Sequence, residues 1–127
     1  MSYSNPTVVT YVKSAVDFGA GNSAYAIKAP KGYENGRILD VGVAVSETFN
    51  QVTTPGYVRI GTTGDADAYA ELNMASAAIT DFYNTQDDTD AIINADVTNT
   101  QLEVACIAPT GGTPAGIGDV HIVVAWF

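Results

Sequence analysis

The feature of this sequence that most constrains its fold is a strict alternation of apolar and polar side chains. In the segment RILDVGVAVSETF, one set of alternate positions is apolar and the other is polar or small: Leu39, Val41, Val43 and Val45 against Asp40, Gly42, Ala44 and Ser46. Successive side chains point to opposite faces of a β-strand, so the pattern predicts a strand with one buried face. The segment LEVACI repeats it, with Leu102, Val104 and Cys106 on the apolar side.

Turn-forming residues separate these segments from shorter apolar runs. The runs TVVTYV, SAYAIKA and GYVRIG are rich in β-branched and aromatic residues, which favour strands. Glycine, proline and asparagine cluster between the runs, at 19–22, 30–32, 35–36, 54–56 and 111–114. Asn35 and Gly36, just before the clearest strand, predict a tight turn. Short strands separated by turns in this way predict an all-β fold, an antiparallel β-sandwich of the jelly-roll type, formed by residues 1–127 as a single domain.

One stretch departs from the strand pattern. In AYAELNMASAAITDFYN, the apolar residues Leu72, Ala75, Ile79 and Phe82 are spaced like one face of a helix. Alanine favours a helix there, whereas Thr80 and the aromatic residues do not. The segment is therefore expected to be either a short helix, the only one in the fold, or an irregular crossing between the sheets.

The charge composition argues against several classes of partner. Fourteen acidic residues oppose five basic ones, and the net charge of −9 repels phosphate, so no nucleic-acid partner is expected. The sequence lacks a basic amphipathic helix, an apolar stretch of ~18 residues and the basic start of a signal peptide, so no membrane partner is expected. Only 15% of the residues are charged, which suits a protein packed against neighbours.

Cys106 is the only cysteine, which excludes an intrachain disulfide and predicts a small buried thiol.

Two acidic clusters are candidate metal or catalytic sites: Asp65 with Asp67, and Asp87 with Asp88 and Asp90. Closely spaced aspartates can supply some of the six to eight oxygens that calcium needs, and a carboxylate pair could hydrolyse a glycosidic bond. Neither cluster has the glycine and distant glutamate of an EF-hand loop, and nothing in the sequence places them around a cleft. Solvated acidic turns are the favoured interpretation. Neither a metal nor any other cofactor is expected, although calcium binding by these loops stays open.

The lone histidine, His121, shares one face of the last predicted strand with Asp119. An Asp–His contact is possible there, but a catalytic triad also needs a serine on a strained elbow, and no GxSxG motif is present. The match of residues 19–24 to GxGxxA lacks the helix that a dinucleotide site requires. We therefore expect no enzymatic activity.

The last predicted strand is apolar on both faces. Val120, Ile122, Val124 and Trp126 form one face, and His121, Val123, Ala125 and Phe127 form the other. One face should fill the core, and a neighbouring subunit or the chain's own N-terminal segment should cover the other. The candidate interface residues are His121, Val123, Phe127 and Trp126.

Three segments of the chain carry a resemblance: PKGYENGRILDVGVAVSETFNQVTTPGYVRIGTTGDADAYAEL, ADVTNTQLEVACIAP and TGGTPAGIGDVHIVVAWF. Together they resemble small virion proteins of tailed phages, of the capsid decoration (cement) type. The resemblance covers about two-thirds of the chain and carries no catalytic signature. It implies a β-sandwich or jelly-roll protein, often trimeric, that is made in the host cytoplasm and attached to the outer capsid surface, with the major capsid protein and further copies of itself as partners.

A carbohydrate-binding or host-adhesion module, as a head-fibre or tail component, is the alternative function. Seven tyrosines (Tyr3, Tyr11, Tyr25, Tyr33, Tyr57, Tyr69 and Tyr83) could stack against sugars. Tyrosine is equally suited to the core and strand surfaces of a small β protein, which is the favoured interpretation.

Overall fold

The structure is a computed structural model that describes residues 7–50, 53–75, 77, 82–88, 91–93 and 96–127. Among these residues, ten strands follow one another: β1 (Thr7–Asp17), β2 (Ser23–Lys28), β3 (Gly36–Asn50), β4 (Tyr57–Thr62), β5 (Asp65–Asn73), β6 (Phe82–Asn84), β7 (Ile92–Ile93), β8 (Asp96–Val97), β9 (Gln101–Ile107) and β10 (Ala115–Trp126). A single 3₁₀ turn, Phe18–Ala20, separates β1 from β2. Within the described ranges there is no α-helix, and therefore no helix that could span a membrane.

The strands form two antiparallel sheets. Sheet A has the order β1-β10-β3-β6, with β8 also paired to β3, and sheet B has the order β2-β9-β4-β5-β7. Four of the strand pairs are nested along the chain, because β1 pairs with β10, β2 with β9, β3 with β6 and β4 with β5, while β3 also pairs with β10 and β4 with β9. The all-β prediction, with antiparallel sheets, is confirmed.

The hydrophobic core is built from alternate residues of both sheets. On β10, Val120, Ile122, Val124 and Trp126 are completely buried, as the sequence predicted for one of its faces. On β9, Leu102, Val104 and Cys106 are buried in the same way. The period-two pattern therefore located the inner face of both strands, because strands in a two-layer structure expose one face to the core and the other to the outside.

The predicted inner face of β3 is wrong at Leu39, whose side chain is 49% exposed. Val124 pairs with Ile38 whereas Val123 pairs with Asp40, so Leu39 is the extra residue of a β-bulge. A bulge shifts the alternation by one residue and sends the side chains before it to the other face. Ile38, only 2% exposed, takes the core position instead.

The predicted tight turn at Asn35 and Gly36 is also wrong. The backbone of Asn35 exchanges two hydrogen bonds with Phe127, of 2.9 and 3.1 Å, and so extends the ladder of sheet A. The chain turns earlier, where the Tyr33 amide donates to the Pro30 carbonyl at 3.1 Å. Glycine is needed at position 36 because a Cβ there would lie 2.7 Å from Cε3 of Trp126.

The stretch with helical spacing begins as a strand, since β5 extends through Asn73. A helix is wrong for these residues. Because β5 belongs to sheet B and β6 to sheet A, the chain between Asn73 and Phe82 passes from one sheet to the other. Ile79 and Thr80, on which part of the prediction depended, lie outside the described residues.

Candidate functional site

The outer face of sheet A is the candidate site, because the sequence placed its interface residues there. Strand register assigns its members: Val8, Thr10 and Val12 of β1, Asp119, His121, Val123 and Ala125 of β10, Arg37, Leu39, Asp40, Gly42 and Ala44 of β3, Phe82 and Asn84 of β6, and Asp96 of β8. Five strands contribute; the middle of the face is built largely from small or apolar residues, and one end carries the exposed ion pair Arg37–Asp96, of 3.3 Å. Phe127 continues β10 at one end of this face.

Most of the large apolar side chains that are exposed within the described ranges lie on this outer face or at its end. They are Val8, Val12, Leu39, Phe82 and Phe127, with exposed fractions between 48% and 56%. The other two, Ile92 and Ile93, form β7 at the edge of sheet B. Scattered exposed apolar residues are normal, whereas a contiguous group on one face marks a surface that a partner can cover.

An aromatic pair lies over the middle of the face. The rings of Phe82 and His121 meet edge to face, with centroids 5.4 Å apart and an interplanar angle of 80°. Gly42 leaves room for this pair, because a Cβ there would lie 2.6 Å from Cζ of Phe82. The Asp–His contact that the sequence made possible is replaced by this packing of the imidazole against an aromatic ring.

The carboxylates of the outer face already have partners within the chain. Asp119 accepts a hydrogen bond of 2.8 Å from the amide of Ala15, a residue with a positive φ of 52° beside a register shift in β1. Asp40 accepts from Thr85 Oγ1 at 3.2 Å and from Asn84 Nδ2 at 3.4 Å. Intramolecular hydrogen bonds lower the cost of covering these groups, because their lone pairs do not depend on water alone.

The four predicted interface residues do not all reach the surface. His121 and Val123 are half-buried on the outer face, and Phe127 is 50% exposed. Trp126 is completely buried on the inner face, where its indole Nε1 donates to the Tyr11 hydroxyl at 2.9 Å. Trp126 therefore supports the face from beneath and offers no side-chain surface to a partner. The interface itself stays a prediction.

The described part of the N-terminal segment does not cover this face. Residues Thr7–Asp17 form β1, which pairs with β10 edge to edge and so widens the sheet. Residues 1–6 lie outside the described ranges. The described residues of the N-terminal segment therefore supply no cover, and cover by a neighbouring molecule stays a prediction.

The acidic clusters are not assembled into a site in the described part of the chain. Asp65 and Asp67 are exposed at the start of β5. Asp87 accepts from the amide of Asn84 at 3.0 Å, and Asp88 accepts from the amide of Asn73 at 2.8 Å. Asp90 lies outside the described residues, and the remainder contains no group of three His, Cys, Asp or Glu side chains that could hold a metal ion. These two carboxylates therefore hold backbone amides at the ends of β6 and β5.

The Cys106 thiol is inside the core, as the sequence predicted. Burial raises its pKa to about 11, and a hydrogen bond with Ser23 offsets part of that rise. Burial, and then the charge of Cys106, also raise the pKa of Tyr25, whose buried hydroxyl has no hydrogen-bond partner among the described atoms. A protonated, buried thiol is a poor nucleophile, so this pair is part of the packing.

Comparison with known proteins gives a likeness of fold. The chain matches no protein-family model and no curated protein. Among solved structures, a chain of the cyanophage Pam1 capsid asymmetric unit is similar over 100% of this chain and 89% of its own length, with a TM-score of 0.51 and 15% sequence identity. The similarity extends over the whole chain, and at this identity it establishes a shared fold.

Proposed function

We propose that this chain is a structural protein of a phage virion, a decoration or cement protein that binds the outside of the head shell and stabilises it. The observation that carries the proposal is the likeness of fold, over the full length of this chain, to a chain of the cyanophage Pam1 capsid asymmetric unit. The two chains are similar in length, so the likeness concerns most of both chains. The resemblance of the three sequence segments to capsid decoration proteins points the same way.

The strand order supports a jelly roll as the form of this fold. The four nested pairs, β1 with β10, β2 with β9, β3 with β6 and β4 with β5, result when one long hairpin of eight strands is rolled into two sheets. Jelly rolls are built in this way from two Greek keys and are common in viral capsid proteins. The two-residue strands β7 and β8 are additions between the sixth and seventh of these eight strands.

The outer face of sheet A is the surface proposed to contact the shell and neighbouring copies. Copies that each carry a net charge of −9 repel one another, so a contact between them is best made where free charge is scarce. Burial of apolar area contributes ~25 cal/mol per Å², and a few hundred Å² gives several kcal/mol before the costs of association. Such a contact is weak for one molecule, so a trimer that binds through several faces at once gains by avidity.

The partners in this proposal are the major capsid protein and two further copies of this chain, and no catalytic activity is proposed. Because every copy adds buried area across junctions of the shell, a complete layer resists the outward pressure of packaged DNA. The acidic surface is compatible with a place outside the shell, away from the genome.

The test is binding to heads of the phage that encodes the chain. Heads that lack the protein are mixed with purified protein, sedimented, and imaged by electron cryomicroscopy. We expect the protein to sediment with the heads, to add ordered density on their outer surface, and to raise the temperature at which they release DNA. Heads that neither bind this protein nor carry it in purified virions would contradict the proposal.

A further inference from the structure

A depression on the outer face of sheet B, opposite the proposed shell-binding face, has the dimensions of a small ligand site. Its volume is about 400 Å³, within the range of small-molecule pockets. The edge strand β2 contributes Ala24 and Ala26, the end of β4 contributes Thr62, and the start of β9 contributes Gln101 and Glu103. Glu103 lies beside Ala26 in the strand register, so a methyl group next to the carboxylate leaves the space open.

The polar groups of this depression suit a ligand with many hydroxyl groups. Asn99 and Gln101 supply carboxamides that both donate and accept hydrogen bonds, Thr62 supplies a hydroxyl, and Glu103 supplies two acceptor oxygens. Adjacent sugar hydroxyls can bind such groups in pairs, and the methyl groups of Ala24 and Ala26 can contact the C–H face of a sugar ring. The two ion pairs within the described ranges, Arg37–Asp96 and Arg59–Glu71, leave Glu103 out.

One of these polar groups is held in position from below. The Asn99 Nδ2 group donates a hydrogen bond of 2.7 Å to the hydroxyl of Tyr69, which is only 8% exposed. The adjacent Thr100 carbonyl accepts from the Ala29 amide at 2.8 Å, which ties this turn to the end of β2. A carboxamide fixed in this way loses little conformational freedom when it binds a ligand, and its Oδ1 atom is left to accept from one.

Charge selects among the possible ligands. No basic side chain lines the depression, and the carboxylate of Glu103 together with the net charge of −9 disfavours phosphate, sulfate and acidic sugars. We propose that the depression on sheet B binds a neutral saccharide, through Asn99, Gln101 and Glu103. This goes beyond the proposed capsid role, because it gives the surface that faces away from the shell a ligand of its own.

The test uses the purified full chain and a panel of neutral oligosaccharides of hexoses and N-acetylhexosamines, with sialylated versions of the same glycans as the anionic probes. The panel is first screened on a glycan array, and the affinity of each glycan that binds is then measured by isothermal titration calorimetry. We expect neutral glycans to bind with a Kd around the millimolar range. Sialylated versions should not bind, and EDTA should not change the result, because the lining holds a single carboxylate.

Matched variants locate the binding. Gln101→Ala and Asn99→Ala should each weaken saccharide binding at least tenfold, and Tyr69→Phe should weaken it less, because Tyr69 acts through the position of Asn99. Thr10→Ala, on the opposite sheet, should leave it unchanged. The inference is overturned if no neutral glycan binds, if only sialylated glycans bind, or if Gln101→Ala and Asn99→Ala bind as well as the unmodified chain. Gln101→Ala should still bind heads, so failure here is distinguishable from failure of the capsid proposal.

Discussion

At the scale of single residues, two glycines of sheet A make room for aromatic rings. Gly36 lies against the Trp126 indole and Gly42 lies under the Phe82 ring. From sequence alone, Asn35 and Gly36 predicted a turn, because that dipeptide is common in hairpins. The actual reason for the glycine is a side chain 90 positions along the chain, which no local pattern contains.

We predict that Gly36→Ala destabilises the protein by about 1–3 kcal/mol, the usual cost of overpacking a core. The new Cβ would lie 2.7 Å from Cε3 and 2.8 Å from Cζ3 of Trp126, so the indole must move. Gly64→Ala is the matched control, because a Cβ at Gly64 has no neighbour within 4 Å. Urea unfolding of both variants measures the difference, and equal stabilities would show that the indole does not occupy this space.

The buried thiol predicts a dependence of stability on pH. The pKa of Cys106 rises from 9.0 to about 11 in the folded state, chiefly through burial. Above pH 9 the unfolded chain therefore binds fewer protons than the folded chain, so the free energy of unfolding falls with rising pH until about pH 11. We expect this group to account for a loss of about 1–3 kcal/mol.

Cys106→Ser tests the assignment of that slope. Tyr25 contributes in the same direction, because burial raises the pKa of its phenol as well. The serine variant should therefore keep a shallower fall in stability at alkaline pH. Unfolding curves for both proteins across this pH range supply the comparison, and identical slopes would show that the thiol is not the titrating group.

At the scale of elements, local alternation was sufficient to predict β9 and β10 but not the whole of β3. Alternation is a property of one strand, whereas a bulge depends on which residues of the neighbouring strand are opposite it. The bulge at Leu39 is defined by Val123 and Val124, far away in sequence. Helical spacing around Leu72 misled for a similar reason, since the pairing of β5 with β4 overrides a weak local preference.

The bulge gives a direct test of the register between β3 and β10. Ile38→Ala should cost about 2–5 kcal/mol, because Ile38 is a core residue. Leu39→Ala should change stability by no more than about 0.5 kcal/mol, because its side chain is half exposed. Chemical denaturation measures both. The uninterrupted alternation read from the sequence makes the opposite prediction, a large cost at Leu39 and a small one at Ile38.

The candidate face shows the same division between local and non-local information. The sequence predicted His121, Val123 and Phe127, all on one strand or at its end. It missed Val8, Val12, Leu39 and Phe82, because they come from three other strands that only the sheet order brings together. The apolar character of both faces of TVVTYV was the one available signal for Val8 and Val12.

At the scale of the whole molecule, the two sheets present different outer surfaces. Sheet A offers exposed valine, leucine and phenylalanine, with its carboxylates hydrogen-bonded or, at Asp96, paired with Arg37, whereas sheet B offers a depression with amide, hydroxyl and carboxylate groups. The proposal that one face docks on a shell while the other faces outward is consistent with this difference. The sequence predicted a chain packed against neighbours from its low charge, but only the folded chain shows which face is apolar.

Binding of a face variant to heads tests this account most directly. Val8→Glu/Val12→Glu places two carboxylates on the outer face of sheet A at positions that are 56% and 52% exposed, so the variant should fold and melt like the unmodified chain. Gln101→Ala, on sheet B, is the matched control. The measurement is the amount of each protein that sediments with heads. We predict that the double variant binds at least tenfold more weakly and that Gln101→Ala binds normally. A folded double variant that binds heads as well as the unmodified chain would contradict the account.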